Sequence, residues 1–189
     1  MRLTSFYGDA FDGQFARRLR KSAEAYGIAC TLVPWSGDRS AADKARLRTR
    51  LLTDALLRYP EEDVFFVEPD AQIQRRPDVL LDEKDFDVGV YDDQETLQLS
   101  GPIALRNNPW VLEMLREWDS LNQEEPDAPE LENLAQVLSR PRSPLQVRRL
   151  PITYAWVERI HREGHPRSLP VIVHYKTDEL LTSHIRLRR

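Results

Sequence analysis

The first 67 residues alternate two kinds of apolar pattern, and that alternation limits the folds open to the chain more than any other feature. Leu3-Thr4-Ser5-Phe6-Tyr7 reads as a short strand that ends at Gly8-Asp9. Phe11, Phe15, Leu19, Ala23 and Tyr26 then recur at spacings of four and three, which is one face of a helix, and Gly27 stands where a helix stops. Residues 28–33 predict a second strand, ended by Pro34. Ser40 or Asp43 is placed to cap a second helix whose Leu52, Ala55, Leu56 and Tyr59 face inward before Pro60 ends it. Val64-Phe65-Phe66-Val67 completes the series. A continuous apolar tetrad bounded by acids suits a central strand covered on both faces. The pattern therefore predicts an α/β fold, doubly wound, with a mostly parallel central sheet and helices on both faces.

After this point the pattern loosens. Residues 87–90 and 102–105 are short strand candidates on either side of a polar loop at 92–100. Pro109 can open a helix, since its missing N–H would be unpaired there in any case, and Val111, Leu112, Leu115 and Trp118 form its apolar stripe. Residues 122–129 read as a loop, Leu131, Leu134, Ala135 and Leu138 as a short amphipathic helix, and 147–150 and 171–174 as late strands. No repeat, low-complexity tract or linker divides the chain. With 189 residues, 41% hydrophobic and 31% charged, it can bury one core, and a single domain over 1–189 is expected.

The longest strongly apolar run, Val64 to Val67, falls far short of the roughly 20 residues that span a bilayer, and the opening residues lack a signal peptide's apolar stretch. A soluble, cytoplasmic protein is the expectation. The single cysteine, Cys30, permits no internal disulfide or cysteine metal cluster and reads as packing rather than as a nucleophile. The formal net charge of −4 is unevenly spread: residues 1–139 carry −11 and residues 140–189 carry +7, with all four histidines in the basic part. Such an asymmetry marks either a surface for an anionic ligand or solvated charge that complements an acidic neighbour.

The residues richest in chemistry follow the apolar tetrad: Glu68-Pro69-Asp70. Ligands of open α/β sheets bind at the carboxyl ends of strands, and two acids one residue apart there can present oxygens to a hard cation. Pro69 stiffens the turn between them. A polar turn leaving a buried strand accounts for the triplet equally well. The stretch Asp54-Ala55-Leu56-Leu57, Tyr59-Pro60, Val64 to Asp70 and Arg76-Pro77-Asp78-Val79-Leu80 resembles the core of the nucleotide-diphospho-sugar transferases of the GT-A fold, in which a hydrophobic strand ends in an Asp-x-Asp motif. Here the first acid is Glu68 and the middle residue is proline.

The resemblance implies a glycosyltransferase that moves a sugar from a nucleotide diphosphate, a UDP-sugar first, to an unknown acceptor with Mn2+ or Mg2+. It divides the chain into a nucleotide-binding half, 1–90, and a donor-sugar and acceptor half, 91–189. It makes Glu68, Asp70 and His174 the metal ligands, because Val171-Ile172-Val173-His174-Tyr175-Lys176 is similar to the family's late strand whose histidine completes the metal site. It assigns Lys176 to the diphosphate and makes Asp70 and Lys176 the catalytic pair. Thr4, Ser5, Phe6 and Tyr7 would hold base and ribose, Gly101 in Ser100-Gly101-Pro102 would line the donor sugar, and Lys44 would reach the nucleotide. Core packing explains Phe6 and Tyr7 as well, a plain turn explains Gly101, and solvent exposure explains Lys44.

No single catalytic base stands out among Asp92, Asp93, Asp127, Glu130 and Glu132, the last two of which also suit a first helical turn. His161 and His165 are four apart, but Gly164 and Pro166 argue against a helix there. Two other readings stay open: a glycosyltransferase-like module that binds without catalysing, and a protein that binds or modifies nucleic acid through Arg140, Arg142, Arg148, Arg149, Arg186, Arg188 and Arg189, where an anionic acceptor would also bind.

Overall fold

The alternating elements form as their patterns predict, and a computed structural model describes residues 1–8, 10–36, 40–93, 98–140, 145–157, 161, 164, 165 and 167–175. They comprise β1 (Arg2–Tyr7), α1 (Ala10–Glu24), β2 (Ala29–Pro34), α2 (Ala41–Arg58), β3 (Val64–Phe66), β4 (Ala71–Ile73), α3 (Asp78–Leu81), β5 (Val88–Asp93), β6 (Gln98–Leu105), α4 (Pro109–Glu124), α5 (Glu130–Ser139), β7 (Val147–Arg149) and β8 (Ile172–His174). Ser40 is the N-cap of α2: its hydroxyl accepts from the Asp43 N–H at 3.1 Å and donates to the Asp43 carboxylate at 2.9 Å. Asn108 caps α4 in the same way, with Pro109 at its first position.

The main sheet has the order β2-β1-β3-β6-β5-β7. β1 pairs in parallel with β2 and β3, β5 pairs in parallel with β7, and only β6 runs against its neighbours. The result is a single α/β domain with a mostly parallel sheet. β5 and β6 form a longer hairpin than the polar composition of 92–100 predicts, because Tyr91, Asp92 and Asp93 continue the ladder opposite Ser100, Leu99 and Gln98. A register shift after Val90 puts a bulge at Gly101, which takes φ +71°.

Strand alternation supplies two cores. Phe6, Val64, Phe66, Val88, Ile103 and Leu105 face α2, α4 and α5, whose Leu52, Leu56, Met114, Leu115, Trp118 and Leu134 are fully or nearly fully buried. Leu3, Phe65, Val67 and Ala104 face the other way, toward Leu19, Ile73, Leu80 and Ile172. At about 25 cal/mol per Å² of apolar surface removed from water, this two-sided burial is what drives the sheet to the centre of the molecule.

Candidate functional site

The site forms where β3 ends. Residues 68–71 make a β-turn closed by the Ala71 N–H donating to the Glu68 carbonyl at 3.0 Å, with Pro69 at its second position, where a fixed φ suits the turn. The turn returns the chain at once into β4, which pairs antiparallel with β8 in a two-stranded ribbon whose register sets Ala71 opposite His174. β4 is too short to announce itself as a strand in the sequence. It is what brings Asp70 to His174 across more than half of the chain.

Asp70 Oδ1 and His174 Nδ1 stand 3.5 Å apart, and both side chains are 5% exposed. The separation is long for a hydrogen bond. It is within the span of two donors that each lie about 2.1 Å from one hard cation. His174 Nε2 is buried without a hydrogen-bond partner among the described residues. The backbone of β8 is held from the other side by Trp156, whose N–H donates to the Ile172 carbonyl at 3.2 Å and whose carbonyl accepts from the His174 N–H at 2.8 Å. The Asp70 carboxylate and the His174 imidazole are thus enclosed side by side on a ribbon held by backbone hydrogen bonds, and they are the two side chains here that could hold a metal ion. Among the described residues no three His, Cys, Asp or Glu side chains converge as a metal-holding group.

Glu68 goes elsewhere. Its Oε1 accepts from the guanidinium of Arg48 in α2, and the same guanidinium pairs with Glu130 Oε1 in the first turn of α5. Arg48 is 7% exposed and lies over the Phe66 ring, 4.5 Å from its centroid. The Trp118 indole N–H donates to the Glu130 carbonyl at 2.8 Å and fixes the start of α5. Burial pushes the Glu130 carboxyl above the ordinary glutamate value; Arg48 opposes the shift, Glu68 adds to it and Lys44 opposes it. Glu130 Oε2 is buried without a hydrogen-bond partner among the described residues. The sequence reading missed Arg48, although the signal was present: an arginine four residues before Leu52 lies on the inward stripe of α2.

The other candidates are placed as follows. Thr4 and Ser5 are enclosed, 0% and 1% exposed, with hydroxyl oxygens lacking a partner among the described residues. Phe6 packs in the core, 5.8 Å from the Trp35 ring and 5.7 Å from that of Phe66. Tyr7 is half-buried at the strand end against Gly13. Lys44 is exposed on the first turns of α2, on the side of Glu130. Gly101 abuts Ala155, the residue before Trp156. Lys176 lies outside the described residues, as do Arg142 and the tail with Arg186, Arg188 and Arg189, and the side chains of Asp92 and Asp93 lie outside the description too.

Two sequence readings are corrected or sharpened. The His165 N–H donates to the His161 carbonyl at 2.9 Å, a bond of helical spacing that Gly164 and Pro166 argue against in the sequence, and both imidazoles lie against Trp156, with ring centroids 5.5 and 6.4 Å away. Cys30 is a half-buried thiol pushed up to about 11, chiefly by burial and then by Glu24, which suits packing and not nucleophilic attack. In the basic segment, Arg140 pairs with Glu117 at 3.5 Å and Arg148 with Glu83 at 2.8 Å and Asp85 at 3.9 Å, so these two arginines complement acidic neighbours. No helix among the described residues is long and apolar enough to cross a membrane.

The sequence matches no protein-family model and no curated protein sequence. The fold is similar to that of a glycosyltransferase involved in the glycosylation of the major capsid of PBCV-1, with a TM-score of 0.68 at 14% identity over 92% of this chain and 93% of that one. It is also similar to the glycosyltransferase GlyE of Streptococcus pneumoniae TIGR4, with a TM-score of 0.60 at 13% identity, and to the apo form of GlyE, with 0.58 at 15%. The chain spans about half the length of GlyE, 54%, and 92% of itself is covered. These likenesses concern the fold: a single α/β domain with a mostly parallel sheet, consistent with a GT-A-like architecture.

Proposed function

We propose that this chain is a glycosyltransferase that takes a sugar from a nucleotide diphosphate, a UDP-sugar first, and uses a divalent metal ion, Mn2+ or Mg2+. The observation that carries the reading is the Asp70 and His174 pair, 3.5 Å apart at the carboxyl end of a central strand of this fold. One carboxylate and one neutral imidazole form a donor set that these ions accept. Bound there, the ion would supply charge stabilisation to the departing diphosphate. Asp70 and His174 would orient the diphosphate through it, and their enclosure keeps water from screening that interaction. Lys176, two residues after His174 in sequence, is proposed to meet the diphosphate directly. Thr4, Ser5, Phe6 and Tyr7 are proposed to shape the nucleotide end, Gly101 the donor-sugar end and Lys44 a further contact.

Calorimetry with UDP in the presence and absence of Mn2+ tests this. Wild-type protein is expected to bind UDP only with the metal, and Asp70→Asn to weaken that binding at least about tenfold. Equal UDP binding by both proteins, with or without metal, would remove the reading.

A second reading is favoured by one observation: Glu68 is already engaged by Arg48, so the triplet offers a single remaining acid. A module that binds a nucleotide sugar without transferring it fits that arrangement. Release of free sugar from the donor in the presence of Mn2+ separates the two, since the binding module releases none.

A further inference from the structure

The turn at 68–71 sends its two acids to different partners. Asp70 goes to His174 through the β4–β8 ribbon, and Glu68 goes to Arg48 on the opposite, α2 side of β3. Arg48 is not a mobile surface cation that can give Glu68 up. It is 7% exposed, its guanidinium lies on the Phe66 ring, and it is shared with Glu130, whose own position is fixed by the Trp118 indole. Turning Glu68 toward a divalent ion would leave a buried guanidinium half-paired and bring a second cation close to it, both of which are costly in a partly desolvated setting. Exposure separates the acids in the same way: the Glu68 side chain is 41% exposed, whereas Asp70 and His174 are enclosed.

We infer that Glu68 is a positioning residue and not a metal ligand: it anchors Arg48, Arg48 ties the β3 turn to the start of α5, and Asp70 with His174 supplies the chain's donors to the ion. This rests on the reading of Asp70 and His174 as the metal pair. It departs from the pattern that an acid-x-acid triplet implies, in which both acids face the cation. Arg48 occupies the place of counter-charge to the first acid. The ion's remaining coordination positions are left to the diphosphate and water.

The test measures Mn2+ affinity on the intact chain in the presence of UDP, by the paramagnetic resonance signal of free Mn2+, for wild type, Glu68→Gln, Asp70→Asn and His174→Ala. Glu68→Gln is expected to stay within about threefold of wild type, while Asp70→Asn and His174→Ala lose at least about tenfold. Positioning is read separately, from donor-hydrolysis kcat. Glu68→Gln and Arg48→Lys are each expected to lower it about tenfold, and the double variant to be no worse than either single one, because both break the same link. A Glu68→Gln protein that loses Mn2+ as Asp70→Asn does overturns the inference and leaves the proposed function standing. Additive losses of kcat in the double variant overturn the Arg48 link. If Asp70→Asn retains Mn2+ as wild type does, the metal pair itself is wrong, and both the proposed function and the inference fall. Glu68→Gln keeps a neutral hydrogen-bond acceptor beside Arg48, so the affinity measurement remains decisive even where Arg48→Lys folds poorly.

Discussion

Gly101 and Ala155 are in contact so close that a Cβ on Gly101 would stand 2.7 Å from the Ala155 Cβ, and Gly101 also takes φ +71°. The bulge in β6 therefore sits against the segment whose next residue, Trp156, holds the backbone of β8 and His174. Two independent costs meet at this glycine: left-handed backbone at about 1–2 kcal/mol for any residue with a Cβ, and overpacking at about 1–3 kcal/mol. Gly101→Ala is expected to destabilise the protein by about 2–4 kcal/mol and to lower Tm by roughly 5–12 °C. Calorimetric unfolding checks this. An unchanged Tm would mean that the hairpin and the 155–156 segment give way without cost.

Asp63 anchors the end of the sheet opposite the site. Its carboxylate accepts from the Asn107 N–H at 3.0 Å and pairs with Lys84 at 3.0 Å and with Arg106, which is nearly buried, at 2.9 Å. Burial alone would raise this carboxyl, but the Asn107 N–H, Lys84 and Arg106 together hold it below the usual value of 3.8. The ionised form is thus favoured by folding, and its contribution is present above pH 3.8 and lost as pH falls through the lower folded value. Asp63→Asn is expected to cost about 2–3 kcal/mol at pH 7, chiefly by leaving the nearly buried Arg106 guanidinium without its counter-charge, with only the Phe86, Leu80 and Glu83 carbonyls still accepting from it. Urea unfolding of both proteins at pH 7 and near pH 3 should show the gap narrowing at the lower pH.

The parts of this fold that depend on periodicity could be read from the chain, and the parts that depend on pairing could not. α2 is legible because Leu52, Ala55 and Leu56 recur at helical spacing after a serine cap, and β3 because four consecutive apolar residues cannot be left half-exposed. The insertion of β6 between β3 and β5 leaves no such trace, since its neighbours are chosen by the two cores and not by local sequence. β4 is invisible for the same reason: three residues, Ala71 to Ile73, become a strand only because β8 lies beside them. At the site, the acids of the triplet are legible and their partners are not. Nothing near Glu68 in sequence says that Arg48, a full helix away, takes its charge.

That pairing gives a stability prediction of its own. Arg48 is the counter-ion of two carboxylates, one of them largely buried. Replacing it with an apolar residue of similar length leaves Glu68 and Glu130 facing each other without a cation, and breaking a buried pair by removing one partner costs about 3–5 kcal/mol. Arg48→Met is expected to lose that much at pH 7, by chemical denaturation. A loss below about 1 kcal/mol would show that water already screens the cluster.

Glu130 determines how that cluster responds to pH. Burial raises its carboxyl above the ordinary 4.5, with Arg48 opposing, Glu68 adding and Lys44 opposing. For an acid whose folded value is raised, the native state binds more protons than the unfolded chain between the two values, so stability falls as pH rises from about 4.5 to the folded value. Glu130→Gln removes this titration while preserving the side chain's shape and one acceptor for Arg48. The stability of wild type relative to Glu130→Gln is therefore expected to be greatest at or below pH 4.5, to decline through the window above it, and to be flat at higher pH. Guanidinium unfolding at half-unit pH steps measures the difference. A relative stability that is instead flat above pH 4.5 and falls as pH drops below it would mean that Arg48 outweighs burial and keeps Glu130 ionised, which would make the buried triad a stabilising ion pair rather than a strained one.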